Sequence, residues 1–225
     1  MNITQLTALL LIVLPIAFNA TFFLLQRTFE YPDILRQPTE YILMRFRQGG
    51  QRLIAYWYAF MLASLLFTPA AVLVPQILAP KDVLYLAVTM VVGVLAALVQ
   101  FLGLIRWPFL VPYLAKTFLD PAASQATRDA VAVVFQAFHR YAGVAIGEHL
   151  GYLFTSIWTA LIAVGIIRSP LFGAWLGWAG LIPALGIFIG ILEESGLKIA
   201  GVINAVGYIL WSIWLILIGI VLLAV

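Results

Sequence analysis

Glu148 and His149 stand side by side at the start of a long uncharged apolar run, and a carboxylate beside an imidazole in that setting has two uses. It can tie helices together, with Glu148 paired to Arg106 or Arg140 and His149 donating to a carbonyl. It can instead stand at the mouth of a pocket, placed for proton exchange or for a polar headgroup, because burial and nearby cations set the pKa of such groups. The sequence leaves both open. Further along, Asn204, Tyr208 and Ser212 recur at four-residue spacing and so share one face of a helix, with Trp211 next to it. Such a polar track serves interhelical hydrogen bonds or lines a cavity. Asn19 and Gln100 are further polar residues isolated in apolar surroundings.

Other chemistry is argued against by residue type and spacing. There is no cysteine, which removes thiolate nucleophiles and Cys-ligated zinc or iron. His139 and His149, ten positions apart, would lie about 15 Å along one continuous α-helix and roughly 80° around it, so they cannot face one haem iron. The order Glu-His is not the His-Glu-x-x-His zinc pattern, so no metal and no cofactor is expected. No Gly-x-Ser-x-Gly elbow or phosphate-binding loop is present, and Glu193-Glu194 reads as a solvated pair at a helix end.

The elements that carry these residues follow from composition. Of 225 residues, 64% are hydrophobic and only 9% charged, with a mean hydropathy of +1.10, too little polar surface to cover a water-soluble globule. Uncharged runs reach the roughly 20 residues that a helix needs to cross a bilayer, and they lack the alternation of a barrel strand. The expected fold is all-α: a single polytopic transmembrane bundle over residues 1–225 with six spans, at about 5–26, 53–78, 83–105, 148–167, 171–192 and 199–223. Residues 27–52 are expected to lie at the membrane surface, with a short helix from Thr39 to Gln48. Residues 121–147 form an amphipathic interfacial helix before span four, opened by Asp120-Pro121 as cap and first-turn proline. The breaker Pro80-Lys81-Asp82 lets Asp82 cap the third helix, Pro108 and Pro112 discourage its continuation, and Ser169-Pro170 repeats the cap signal before span five. The first run lacks the flanks of a cleaved signal peptide and is expected to stay.

With both termini outside, Arg27, Arg36, Arg45, Arg47, Arg52, Arg106, Lys116, Arg128, Arg140 and Lys198 fall on the cytoplasmic side, and only Lys81 and Arg168 fall outside, as the retention of basic loops requires. These basic residues sit between apolar runs, so nucleic acid is not an expected partner. Helix packing is expected at Gly143, Gly147 and Gly151 and at Gly173 and Gly177, because helices in lipid associate through small residues.

The run Gly147-Glu148-His149-Leu150-Gly151-Tyr152-Leu153-Phe154, then Trp158, Arg168-Ser169, Leu176-Gly177-Trp178-Ala179-Gly180 and Gly207-Tyr208-Ile209-Leu210-Trp211, resembles the bacterial multi-pass membrane family of domain of unknown function 4386. The likeness covers the C-terminal half well and the first half loosely. It implies a six-helix protein of the bacterial inner (plasma) membrane, and it implies no activity and no catalytic residues.

The expected function is that of a non-enzymatic bundle binding a hydrophobic or lipid-like molecule, or a partner helix, with Glu148, His149 and Arg106 at the cytoplasmic rim. Expected partners are membrane lipids, a hydrophobic small molecule or another membrane protein. One alternative is a small proton-coupled transporter using Glu148 and His149, with Asn204 and Tyr208 on the pathway. Another is an intramembrane lipid-modifying enzyme with His149 as base.

Overall fold

The computed structural model describes residues 2–78 and 81–224, and among these the regular elements are all helices. They are α1 (Ile3–Phe29), α2 (Thr39–Leu65), α3 (Phe67–Leu78), α4 (Val83–Leu104), α5 (Arg106–Phe109), α6 (Val111–Phe118), α7 (Gln125–Phe138), a π-helical stretch (His139–Leu150), α8 (Gly151–Arg168), α9 (Ala174–Ile189) and α10 (Ile199–Leu223). End to end they build six rods long and apolar enough to cross a membrane. The protein is a multi-pass integral membrane protein.

Local chemistry sets several of the ends. Asn2 and Gln5 form a reciprocal capping box at the start of α1, and Asp82 accepts from the Tyr85 amide at 3.0 Å to start α4. Pro80, the other half of that breaker, lies outside the described residues. At the far end of α1, Glu30 takes a left-handed conformation, and its carboxylate is held by Arg45 at 2.6 Å and by the Tyr41 hydroxyl.

Three of the rods are far longer than a bilayer requires. Thr39–Leu78, Val83–Phe118 and Gln125–Arg168 have 40, 36 and 44 residues. At about 1.5 Å per residue each is roughly twice the ~30 Å of hydrocarbon. The excess projects from one end of the bundle, and there it folds on itself. Phe29, Ile34, Phe46, Trp57, Trp107, Leu114, Phe118, Val131 and Phe135 are buried together in a core separate from the one between the spans, with Trp57 and Trp107 stacked at 4.4 Å. Residues 27–52 and 121–147 both contribute apolar side chains to this second core. An amphipathic pattern specifies that one face must be dry, and here the dry faces cover one another. We call this the capped end.

The helix boundaries differ from the sequence expectation at four places. Pro108 and Pro112 do not stop the third rod, because Pro112 falls in the first turn of α6, where a missing N–H breaks no helical bond. Asp120-Pro121 makes a turn, with the Asp120 carboxylate accepting from the Ala122 amide at 2.8 Å, and Ser124 caps α7 by accepting from the Thr127 amide. The Ser169-Pro170 signal likewise produces a turn, so α9 starts at Ala174 rather than near 171, with Gly173 as its cap. The expected helix from Thr39 continues past Gln48, broken only at Gly50, whose φ of 55° and ψ of −151° suit glycine alone.

A Cβ on Gly50 would meet no atom within 4 Å, so its cost is purely conformational. Gly50→Ala is expected to destabilise the protein by about 1–3 kcal/mol, read as a fall in melting temperature in detergent. An unchanged melting temperature would mean that the rod simply straightens there.

Candidate functional site

At the boundary between the capped end and the spans, the helices part around a cavity of about 300 Å³. Its walls come from α1, α4, the π-helical stretch and α10, with the Tyr31-Pro32 linker and Phe60 closing one side. Along α10 the lining runs from Gly201 to Ser212, about 16 Å, or half the thickness of the hydrocarbon.

Small residues make this arrangement possible. Gly103 on α4 and Gly147 on the π-helical stretch bring two backbones into contact, since a Cβ on Gly147 would sit 2.9 Å from the Gly103 Cα. Gly143 leaves room for the Arg106 guanidinium, and Gly151 faces Gln100. Beyond it, Gln100 donates to the Thr155 hydroxyl at 2.9 Å, tying α4 to α8. The wider π winding of residues 139–150 interrupts the α-helical register at the residues that line the cavity. Windings of this kind are rare and concentrate at functional sites.

The polar groups divide into those already engaged and those free to act. Asn204 donates to the Ile187 carbonyl at 3.0 Å, and Asn19 donates to the Ser212 hydroxyl at 2.9 Å, bridging α1 and α10. Glu193 accepts from Arg36 at 2.9 Å. Glu148, by contrast, makes no ion pair with another described residue, and it lines the cavity beside the hydroxyl-bearing side chains of Tyr31 and Tyr152. Arg106 is only 8% exposed, donates to the Gly103 carbonyl one turn back, and lies over the Trp107 ring at 5.3 Å. It has no carboxylate within 4 Å among the described residues.

The pairing of Glu148 with Arg106 or Arg140 expected from the sequence is thus not made. The Arg106 fork turns back along its own helix, whereas Glu148 lines the cavity. The two are still neighbours in electrostatic terms. Burial and the Glu148 carboxylate push the Tyr31 phenol above its ordinary range, and the Arg106 charge works in the opposite direction. Two aromatic walls flank these charges. Phe18 and Phe60 approach to 4.4 Å and Phe22 and Tyr31 to 5.3 Å on one side, and Tyr208 contacts Tyr152 and Trp211 on the other.

Among the residues singled out in the sequence, Glu148, Arg106, Asn204 and Tyr208 share this cavity, together with Gln100, Asn19 and Ser212. His149 does not. It is exposed on a shallow recess beside Gly190, Glu193 and Glu194. Arg140 is exposed in a second, more polar hollow of about 270 Å³ with Arg36, Gln136 and His139. Glu148 and Glu193 line both this hollow and the inner cavity. The angular relation of His139 to His149 is not the α-helical one, because both lie in the π winding; His139 stacks on Phe135 instead. Gly177 packs on the Ala163 carbonyl, whereas Gly173 falls in the turn before α9.

Three polar lining residues were not among the expected site residues: Tyr31, Tyr152, and Glu193, which read with Glu194 as a solvated pair. Tyr152 follows Glu148 by four positions and could have been found by that spacing. Tyr31 and Glu193 arrive from linkers, and only the fold brings them in. Glu193 leaves its neighbour Glu194 exposed, so the adjacent pair splits between cavity and surface.

The family model described as Domain of unknown function (DUF4386) matches residues 6–219 of the chain. No curated protein and no solved structure matches it.

Proposed function

We propose, for a chain that belongs to the DUF4386 family, that the cavity holds an amphipathic molecule taken from one leaflet of the membrane. The observation that carries this reading is the match between cavity and leaflet. The cavity is one leaflet deep, with its charged groups Glu148 and Arg106 at the boundary end and Pro15, Phe18 and Trp211 among its inner walls. A molecule with a polar head and an apolar tail fits that polarity in one orientation only.

The way in is supported by how α1 and α10 cross. Gly219 packs against Ala8 and Ile12 at one end, Asn19 and Ser212 bond in the middle, and beyond them the two helices separate around the cavity. Asn19, Ala205 and Ile209 line it and are themselves exposed, so a lipid-side opening between α1 and α10 is the natural route. Ser212, the lining hydroxyl of nucleophile type, donates to the Tyr208 carbonyl and accepts from Asn19, with no base beside it. That favours holding or passing the molecule over converting it.

The basic residues named above gather toward the capped end, with Lys81 and Arg168 at the other. By the retention of short basic loops, the capped end faces the cytoplasm and the leaflet is the inner one of a bacterial plasma membrane.

The test is to block the opening. Ala205→Trp is expected to reduce copurifying amphiphile, read by native mass spectrometry, at least tenfold. Val202→Trp, on the exposed side of the same helix and outside the cavity, should leave it unchanged. Equal occupancy in the two variants, or no bound amphiphile in the unaltered protein, would sink the reading.

A further inference from the structure

The cavity carries one cation and one anion that do not satisfy each other. Arg106 and Glu148 both line it, they lie more than 4 Å apart, and neither has an ion-pair partner among the described residues. A guanidinium has five N–H donors, of which one is committed to the Gly103 carbonyl. A carboxylate is an acceptor at every lone pair. Glu193, the other acid in the lining, is paired with Arg36 at 2.9 Å, a guanidinium that also meets Asp33 at 3.4 Å, so Glu148 is the lining carboxylate left without a cation partner among the described residues.

Three headgroup types meet this arrangement differently. A purely anionic head would suit Arg106 and the hydroxyls of Tyr31 and Tyr152, but it would bring a second negative charge to Glu148. A purely cationic head would suit Glu148 and the aromatic walls, whose ring faces attract cations, but it would meet Arg106. A zwitterionic head answers both charges at once, with the phosphate on the planar guanidinium fork and the ammonium on the carboxylate between tyrosine rings.

We propose that the amphiphile held in this cavity is zwitterionic, its anionic group on Arg106 and its ammonium group on Glu148. This rests on the reading of the cavity as an amphiphile site. It adds the headgroup chemistry, which the volume and depth of the cavity do not determine.

The experiment uses three probes with one tail and different heads: dodecylphosphocholine, dodecyl phosphate and dodecyltrimethylammonium. Each is titrated into the full-length protein in maltoside micelles, with binding read by native mass spectrometry. The zwitterion is expected to bind at least tenfold more tightly than either singly charged probe. Glu148→Gln, which keeps the shape and hydrogen bonding of the side chain, should bring that preference over dodecyl phosphate to within threefold. Arg106→Lys, which keeps the charge but not the fork, should weaken the zwitterion and the phosphate together.

Comparable binding of all three probes to the unaltered protein would overturn the headgroup assignment while leaving an amphiphile site standing. So would a preference for a singly charged head, or a zwitterion preference that survives Glu148→Gln. Binding of none of the three would overturn the site itself. The comparison of probes needs only the unaltered protein, so the assignment is decided even if a variant fails to fold.

Discussion

Gly103→Val and Gly147→Val are expected to abolish the folded bundle, whereas Gly151→Ala leaves it close to the unaltered protein. The difference lies in what the added carbon meets. On Gly103 it would fall 2.5 Å from the Gly147 Cα, and on Gly147 it would fall 2.9 Å from the Gly103 Cα, so backbone meets backbone in both cases. No rotamer relieves that contact, and the helices can only move apart. Overpacking of this kind costs about 1–3 kcal/mol even where side chains can adjust, and more where they cannot. In a bilayer no hydrophobic force between helices offsets the loss of close packing. At Gly151 the nearest atom is the Gln100 Cγ at 3.2 Å, which can yield, and alanine is favoured over glycine within a helix by roughly 0.5–1 kcal/mol. Melting in detergent orders the series. A Gly103→Val variant that melts at the unaltered temperature would show that α4 and the π-helical stretch are not held by this contact.

Gly147 and Gly151 stood out in the sequence because lipid makes small-residue spacing informative, whereas Gly103, the partner of Gly147, did not, and the six spans were visible because lipid makes length informative. The same physics explains what stayed hidden. Hydropathy marks where a helix is dry and says nothing of whether its dry face meets lipid or protein. Residues 27–52 and 121–147 therefore read as interfacial segments, with nothing to show that Phe46 of the one and Phe135 of the other pack into one core. Pro112 read as a stop because a proline signals a break regardless of whether a new helical turn begins at it. The π winding from His139 to Leu150 left no mark, since it exchanges one hydrogen-bond register for another without changing composition. At the site, Glu148, Arg106, Asn204 and Tyr208 were legible as polar residues out of place. Tyr31 and Glu193 were not, because each lies in a linker, where a polar residue is ordinary, and becomes unusual only when the linker folds over the cavity mouth.

Arg106→Met and Glu148→Leu are each expected to destabilise the protein by about 1–3 kcal/mol, and the double variant by clearly less than the sum. The reason is desolvation. Breaking one side of a contacting buried pair typically costs about 3–5 kcal/mol because the other is left uncompensated, and charges held apart, as here, lose only a part of that. Arg106 and Glu148 are not in contact, yet opposite charges several ångströms apart still attract across a protein interior of reduced dielectric. Removing both leaves apolar surface at a site whose other walls are largely apolar, so part of the loss should return. A coupling of roughly 1–3 kcal/mol in the double-mutant cycle is the expected signature. The same double variant separates stability from recognition. It should fold and still take up a single-chain amphiphile, because the walls from Phe18 to Trp211 are intact. It should no longer distinguish dodecylphosphocholine from dodecyl phosphate, because neither of the two charges that read the head remains. Strict additivity of the two substitutions would mean that the charges do not feel each other. Retained discrimination in the double variant would assign them to the architecture of the cavity rather than to what it binds.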